Sequence, residues 1–271
     1  MSESILPLPA VFISHGSPMH ALEAGASATG RAWKALGERL PRPRAILVAS
    51  AHWETDRPAL TGSERPETIH DFHGFPQPLY ELRYPAPGAP EIAQRVQELL
   101  KAAGFETAID PQRGLDHGAW SPLLYVYPRA DVPVVQVSVQ TRLGPRHHLA
   151  LGAALAPLAR EGVLIVGSGH LTHNLRELRS VRDTGVGRAA PYVSEFQDWV
   201  RACIEAHDYD RLADYRRLSP AGARAHPSEE HFLPLFVALG ASGEKARAER
   251  FVEHVEGGVL AMDAYLLRPG S

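Results

Sequence analysis

Residues 163–174 read VLIVGSGHLTHN: four branched apolar residues, then a glycine pair around a serine, then two histidines. An apolar run this short is a strand buried on both faces, the kind found in the middle of a parallel sheet. Glycine permits a sharp turn and a close approach of backbone to a ligand. The stretch therefore reads as a strand, Val163–Val166, that delivers His170 and His173 into a loop. The same grammar occurs twice upstream. VFIS (11–14) leads to His15-Gly-Ser-Pro, and AILVAS (45–50) leads through Ala51 to His52. Val132–Val139 supplies a fourth strand. Apolar spacing predicts helices over Ala26–Leu40, Glu91–Ala103, Leu149–Arg160, Pro191–Ala206 and Glu229–Leu239. Strands alternating with helices predict an α/β fold, a single three-layer domain over residues 1–271 with a central mixed or mostly parallel sheet flanked by helices.

Composition narrows the function. The chain has 271 residues, 44% hydrophobic, enough for a large core. A formal charge of −3 with no basic run excludes a nucleic-acid surface. No stretch reaches the ~20 apolar residues of a membrane span, and Met1–Ala10 lacks the features of a signal peptide. One cysteine, Cys203, can form neither an internal disulfide nor a thiolate metal site. A cytoplasmic protein is expected. With no heptad pattern, a monomer and a small homo-oligomer both stay open.

The histidines number 14. In open α/β sheets, ligands bind beyond the carboxyl ends of strands, so three strand ends can bring imidazoles to one place without a local ligand motif. Any one of them is also what a hydrogen-bonded loop residue looks like; the three together read as a metal site. HPSEEHFLPL (226–235) adds His226 and places His231 in the first turn of a helix, with Glu229 and Glu230 favourable to its dipole. Residues 62–90, rich in Pro, Gly and aromatics without period, read as a pocket wall. Phe72, Phe75, Tyr80 and Tyr84 could stack on an aromatic ring or simply pack the core. Arg113 and Arg146 are candidates to hold an acidic substituent.

Several blocks together resemble a known family. They are His15-Gly-Ser-Pro, Ser50-Ala-His52-Trp-Glu, Asp71-Phe-His-Gly-Phe-Pro, Tyr84-Pro-Ala-Pro-Gly88, Gly114-Leu-Asp-His117-Gly-Ala-Trp120, Gly167-Ser-Gly-His-Leu-Thr-His-Asn174 and the 226–235 segment. In this order they are similar to the class III extradiol ring-cleavage dioxygenases, 4,5-DOPA extradiol dioxygenase-like branch. The resemblance implies an extradiol dioxygenase-like catalytic domain that opens a catechol-type ring with O2. It implies His15, His52 and His231 as metal ligands, His173 as acid/base, His117 against substrate or oxygen, and His226 beside the third ligand or in contact with substrate. Fe(II) is implied for activity, and Zn(II) is an ion the same site would accept. Two departures stand out. His231 occupies a position that is glutamate in another branch, and His170 stands where a small residue is expected; packing, support of the site and adventitious ligation are its open roles. A zinc-dependent hydrolase and a non-catalytic binding protein are the competing readings of three histidines.

Overall fold

A computed structural model of the chain describes residues 7–23, 25–178 and 189–270. The four apolar runs lie side by side as β1 (Ala10–Ser14), β2 (Ala45–Glu54), β5 (Val134–Val139) and β6 (Val163–Gly169). Shorter strands β3 (Ala59–Thr61) and β4 (Ala108–Asp110) extend the sheet on one side. On the other side lie β7 (Arg247–Val252) and β10 (Ala264–Arg268), while β8 (Val255–Glu256) and β9 (Leu260–Ala261) form a separate ribbon. The order is β4-β3-β5-β2-β6-β1-β10-β7. The central strands β5, β2, β6 and β1 are mutually parallel. Antiparallel pairing of β10 with β1 and of β7 with β10 makes the sheet mixed, as expected.

Successive residues of a strand face opposite sides of a sheet, and here both sides are apolar. Phe12, Leu47, Val137 and Ile165 pack with α3 (Pro90–Ala102), α5 (Gly144–Leu155), α6 (Pro191–Glu205) and α7 (Leu233–Ser242). Val11, Ile13, Ile46, Val48 and Leu164 pack with Trp33 and Leu36 of α1 (Ala28–Arg39) and with Trp120 and Leu123 of α4 (His117–Val126). A short α2 (Gln77–Glu81) interrupts the otherwise irregular 62–90 segment, whose Phe72, Leu79 and Tyr84 join this second layer. Each large apolar side chain so buried contributes about 1.5–3 kcal/mol.

Four details depart from expectation. First, β6 continues to Gly169, so the glycines lie within the strand rather than in a turn. Their small size serves packing: a Cβ on Gly167 would come 2.1 Å from the Pro234 carbonyl, and one on Gly169 2.1 Å from that of His231. Second, β2 runs to Glu54, which puts His52 inside the strand beside a register break with β5. Third, α7 begins at Leu233, not Glu229, because Pro234 has no N–H to bond back and suits the first turn of a helix. His231 therefore precedes the helix, and Glu229 and Glu230 have other partners. Fourth, the helix expected at Leu149–Arg160 starts at Gly144 and gives way to a 3-10 segment, Ala156–Glu161.

Candidate metal centre and active site

β6 lies between β1 and β2, with Ser14 opposite Gly169 and Ser50 opposite Ser168. The carboxyl ends of the three strands are thus level, and His15 and His52 come together across β6. Gly169 lets the backbone of His231 settle on the strand, where its carbonyl accepts the His170 N–H at 2.7 Å. His52 Nε2 then lies 2.9 Å from His15 Nε2 and 3.3 Å from His231 Nε2.

Each of these rings has an acceptor at Nδ1. His231 Nδ1–H donates to Glu230 Oε1 at 2.9 Å, and that carboxylate also accepts from Ser228 Oγ. His52 Nδ1 faces Asp71 Oδ2 at 3.4 Å. His15 Nδ1 is 3.1 Å from Ser168 Oγ, whose hydroxyl donates to the Gly118 carbonyl. That carbonyl is free because Pro122, four residues on in α4, has no N–H to offer it. With its proton committed to Gly118, Ser168 Oγ can only accept from His15. The rings of His15 and His231 therefore carry the proton on Nδ1 and turn an unprotonated Nε2 inward, and the Asp71 carboxylate facing His52 Nδ1 favours the same form there.

Lone pairs at such separations repel unless a cation lies among them. The 2.9 and 3.3 Å Nε2 separations are short enough for nitrogens that would all bind one first-row divalent ion at about 2.1 Å, the fit that the donor set offers. Burial, then the neighbouring histidines, holds His15 and His231 well below the usual histidine range and lowers His52 to about 3, so none competes for the role with a proton. Glu230 accepts from His231 and Ser228 through Oε1.

His173 and His117 stand around the same point. The His173 ring stacks on His231 at 3.5 Å, and among the described residues neither of its nitrogens has a hydrogen-bond partner. Burial, followed by His52 and His117, pushes it down to about 3, so it is a neutral base at pH 7. His117 opens α4 directly after its N-cap, Asp116. Its backbone N–H donates to Asp71 Oδ1 and its Nδ1–H to Asp71 Oδ2, both at 2.9 Å. Asp116 is fully buried and ties α4 to β2 and β5 by accepting from Ser50 Oγ (2.6 Å) and Gln136 Nε2 (2.8 Å). Ligand atoms of His15, His52 and His117 lie within 4.8 Å of one another, as do those of His173, Glu230 and His231.

A cavity of about 680 Å³ opens on this cluster, lined also by Met19, Phe72, Phe75 and Leu260. Of the four aromatics considered for stacking, Phe72 and Phe75 line it. Tyr84 is buried with its hydroxyl on the Tyr127 carbonyl, and Tyr80 packs behind Phe72. Neither arginine reaches the cavity: Arg113 lies over Trp53 and Arg146 pairs with Asp210 on the surface. His170 accepts the Gly16 N–H through Nε2 at 3.0 Å, which removes that nitrogen from ligation. His226 is fully buried beside Phe232 and off the cavity, its Nε2–H bound to the Leu171 carbonyl. Its full burial keeps it from the cavity, and the bond steadies the loop that carries His173. The supporting residues Asp71, Ser168 and Pro122 were not singled out by sequence reasoning, although Asp71 and Ser168 lie in two of the quoted blocks.

An α/β sheet with a histidine cluster at the carboxyl ends of its parallel strands defines a class of metal-dependent enzymes. Residues 9–261 match the family of the catalytic LigB subunit of aromatic ring-opening dioxygenase. The chain is 44% identical to a 4,5-DOPA dioxygenase extradiol of Beta vulgaris over 94% of each chain. It is 41% identical to one of Escherichia coli K12, over 94% of this chain and 93% of the other. The crystal structure of an uncharacterized protein from Escherichia coli K12 superposes with a TM-score of 0.79 at 37% identity, covering 96% of this chain and 99% of that one. The chain belongs to the LigB family and is an extradiol ring-cleavage dioxygenase, an oxidoreductase dependent on a metal. Among the described residues no helix is long and apolar enough to cross a membrane.

Proposed function

We propose that His15, His52 and His231 hold one divalent metal through Nε2, and that a catechol-type ring is opened beside it with O2 while His173 handles the proton. The convergence of three Nε2 lone pairs, each ring anchored at Nδ1, carries this reading. The ion proposed for activity is Fe(II), which when bound acidifies catechol hydroxyls and supplies electron transfer between catecholate and dioxygen. Three imidazoles also suit Zn(II), which binds more tightly at equal availability and has no redox chemistry.

The chain's own groups do the rest. An unpartnered ring nitrogen of His173 takes a hydroxyl proton and returns it as the ring opens. A catecholate anion alongside would raise the basicity of that ring, which suits a group that must both take and give. With Nδ1–H committed to Asp71, His117 keeps Nε2 for contact with substrate or O2. Phe72 and Phe75 offer faces to an aromatic ring and exclude water.

The test is oxygen uptake after anaerobic loading with Fe(II). The iron form is expected to consume one O2 per catechol, with DOPA among the substrates tried, and the zinc form none. In His173→Ala turnover should fall about 100-fold with iron content retained. Ester or amide hydrolysis by the zinc form, without O2 uptake by the iron form, would sustain the hydrolase reading instead.

A further inference from the structure

Asp71 touches two histidines with different duties. Its Oδ2 accepts from His117 Nδ1 at 2.9 Å and faces His52 Nδ1 at 3.4 Å, while Oδ1 accepts the His117 backbone N–H at 2.9 Å. The two rings are 4.0 Å apart, centroid to centroid. The carboxylate stands on the irregular segment whose Phe72 and Phe75 line the cavity. One short side chain thus joins the cavity wall, the start of α4 and a strand of the central sheet.

The chemistry of the contacts requires a carboxylate. Two N–H groups of His117 bond Asp71 and His52 Nδ1 faces it at 3.4 Å, and only an acceptor-only group with two oxygens can serve all three. An asparagine of the same shape has one acceptor oxygen, and its NH2 would oppose either the backbone N–H or the ring N–H groups. We infer that Asp71 is a positioning residue that holds both His52 and His117 in the Nδ1–H form, so that metal affinity and the presentation of His117 to substrate depend on one carboxylate. This rests on the reading of His52 as a ligand. Two separable effects follow, one transmitted through His52 to the metal and one through His117 to turnover.

The experiment compares Asp71→Asn, His117→Ala, the double variant and His52→Ala. Co(II) affinity is measured by chelator competition, the Co(II) d–d spectrum is recorded, and kcat is measured on the iron-loaded enzyme with a catechol. Asp71→Asn should weaken Co(II) binding about 10–100-fold, the range for loss of a partner to a ligating histidine, and shift the d–d bands. The same loss of affinity should persist in the His117→Ala background, whereas the effect of Asp71→Asn on kcat should disappear there. The melting temperature of the metal-free protein should fall by less than that of the metal-loaded protein. Unaltered Co(II) affinity in a protein whose His52→Ala form has lost the metal would overturn the inference. So would an equal loss of kcat in both backgrounds, or a fall in melting temperature as large without metal as with it. Metal retained by His52→Ala would instead refute the ligand reading on which the inference stands.

Discussion

Pro122 has no N–H for the Gly118 carbonyl, and the Ser168 hydroxyl takes its place, which leaves Ser168 Oγ to accept from His15. At this scale each proposed ligand is aimed by a residue that need never touch a metal. Glycine acts in the same way by what it lacks. An alanine at Gly169 would set a methyl 2.1 Å from the His231 carbonyl and force that backbone off the strand. Gly169→Ala should cost about 1–3 kcal/mol, as overpacking does, and should weaken metal binding as well, since His231 moves with its carbonyl. A melting curve and a metal titration check both; unchanged metal affinity would show that His231 is not positioned by this contact. The quoted blocks of sequence pointed to His15, His52 and His231 but not to their partners. A hydroxyl's choice of donor and acceptor depends on a carbonyl 50 residues away, and no local pattern encodes that.

Between elements, the clearest device joins the turn Pro18–Leu22 to β8. His20 Nδ1 lies 2.8 Å from Glu23 Oε2, and Nε2 lies 3.0 Å from Glu256 Oε2, so both nitrogens must donate and the ring is an imidazolium. Burial alone would depress its pKa, but the hydrogen bonds to Glu256 and Glu23 raise it above the ordinary 6.5. Thr29 of α1 and His254 also bond Glu256, whose carboxyl is held far below its usual range. A histidine bound more tightly to its proton when folded stabilises fully below 6.5, and that contribution is lost as pH rises through the raised value. Melting temperature should therefore decline as pH rises from 6.5 through the raised value, and His20→Gln should be less stable below that window with a flatter profile across it. An identical pH profile in the variant would remove His20 as the cause. Elements with long apolar periods were legible in the sequence. The helix α4 was not, because Gly118 and Pro122 oppose helix propensity locally and Asp116, Ser50 and Gln136 override it. The half-exposed, charged β7 and the five-residue β10 also gave too little pattern to read.

For the whole molecule, the layered mixed sheet followed from the alternation of apolar runs with helical periods, and the rule that sites form beyond strand ends pointed to His15, His52 and His173 together, while the choice of ligands among them came from the resemblance. His231 did not follow from that rule, since it enters from the segment before α7, and only the specific 226–235 block pointed to it. Three imidazoles, one just past β1, one within β2 and one before α7, are proposed to form a single metal site. Metal titration of the full chain and its variants tests it most directly. One Fe(II) or Zn(II) per chain is expected, lost in His15→Ala, His52→Ala and His231→Ala but kept in His117→Ala and His173→Ala; stoichiometric metal in any of the first three, or its loss in His173→Ala, would contradict a three-histidine site.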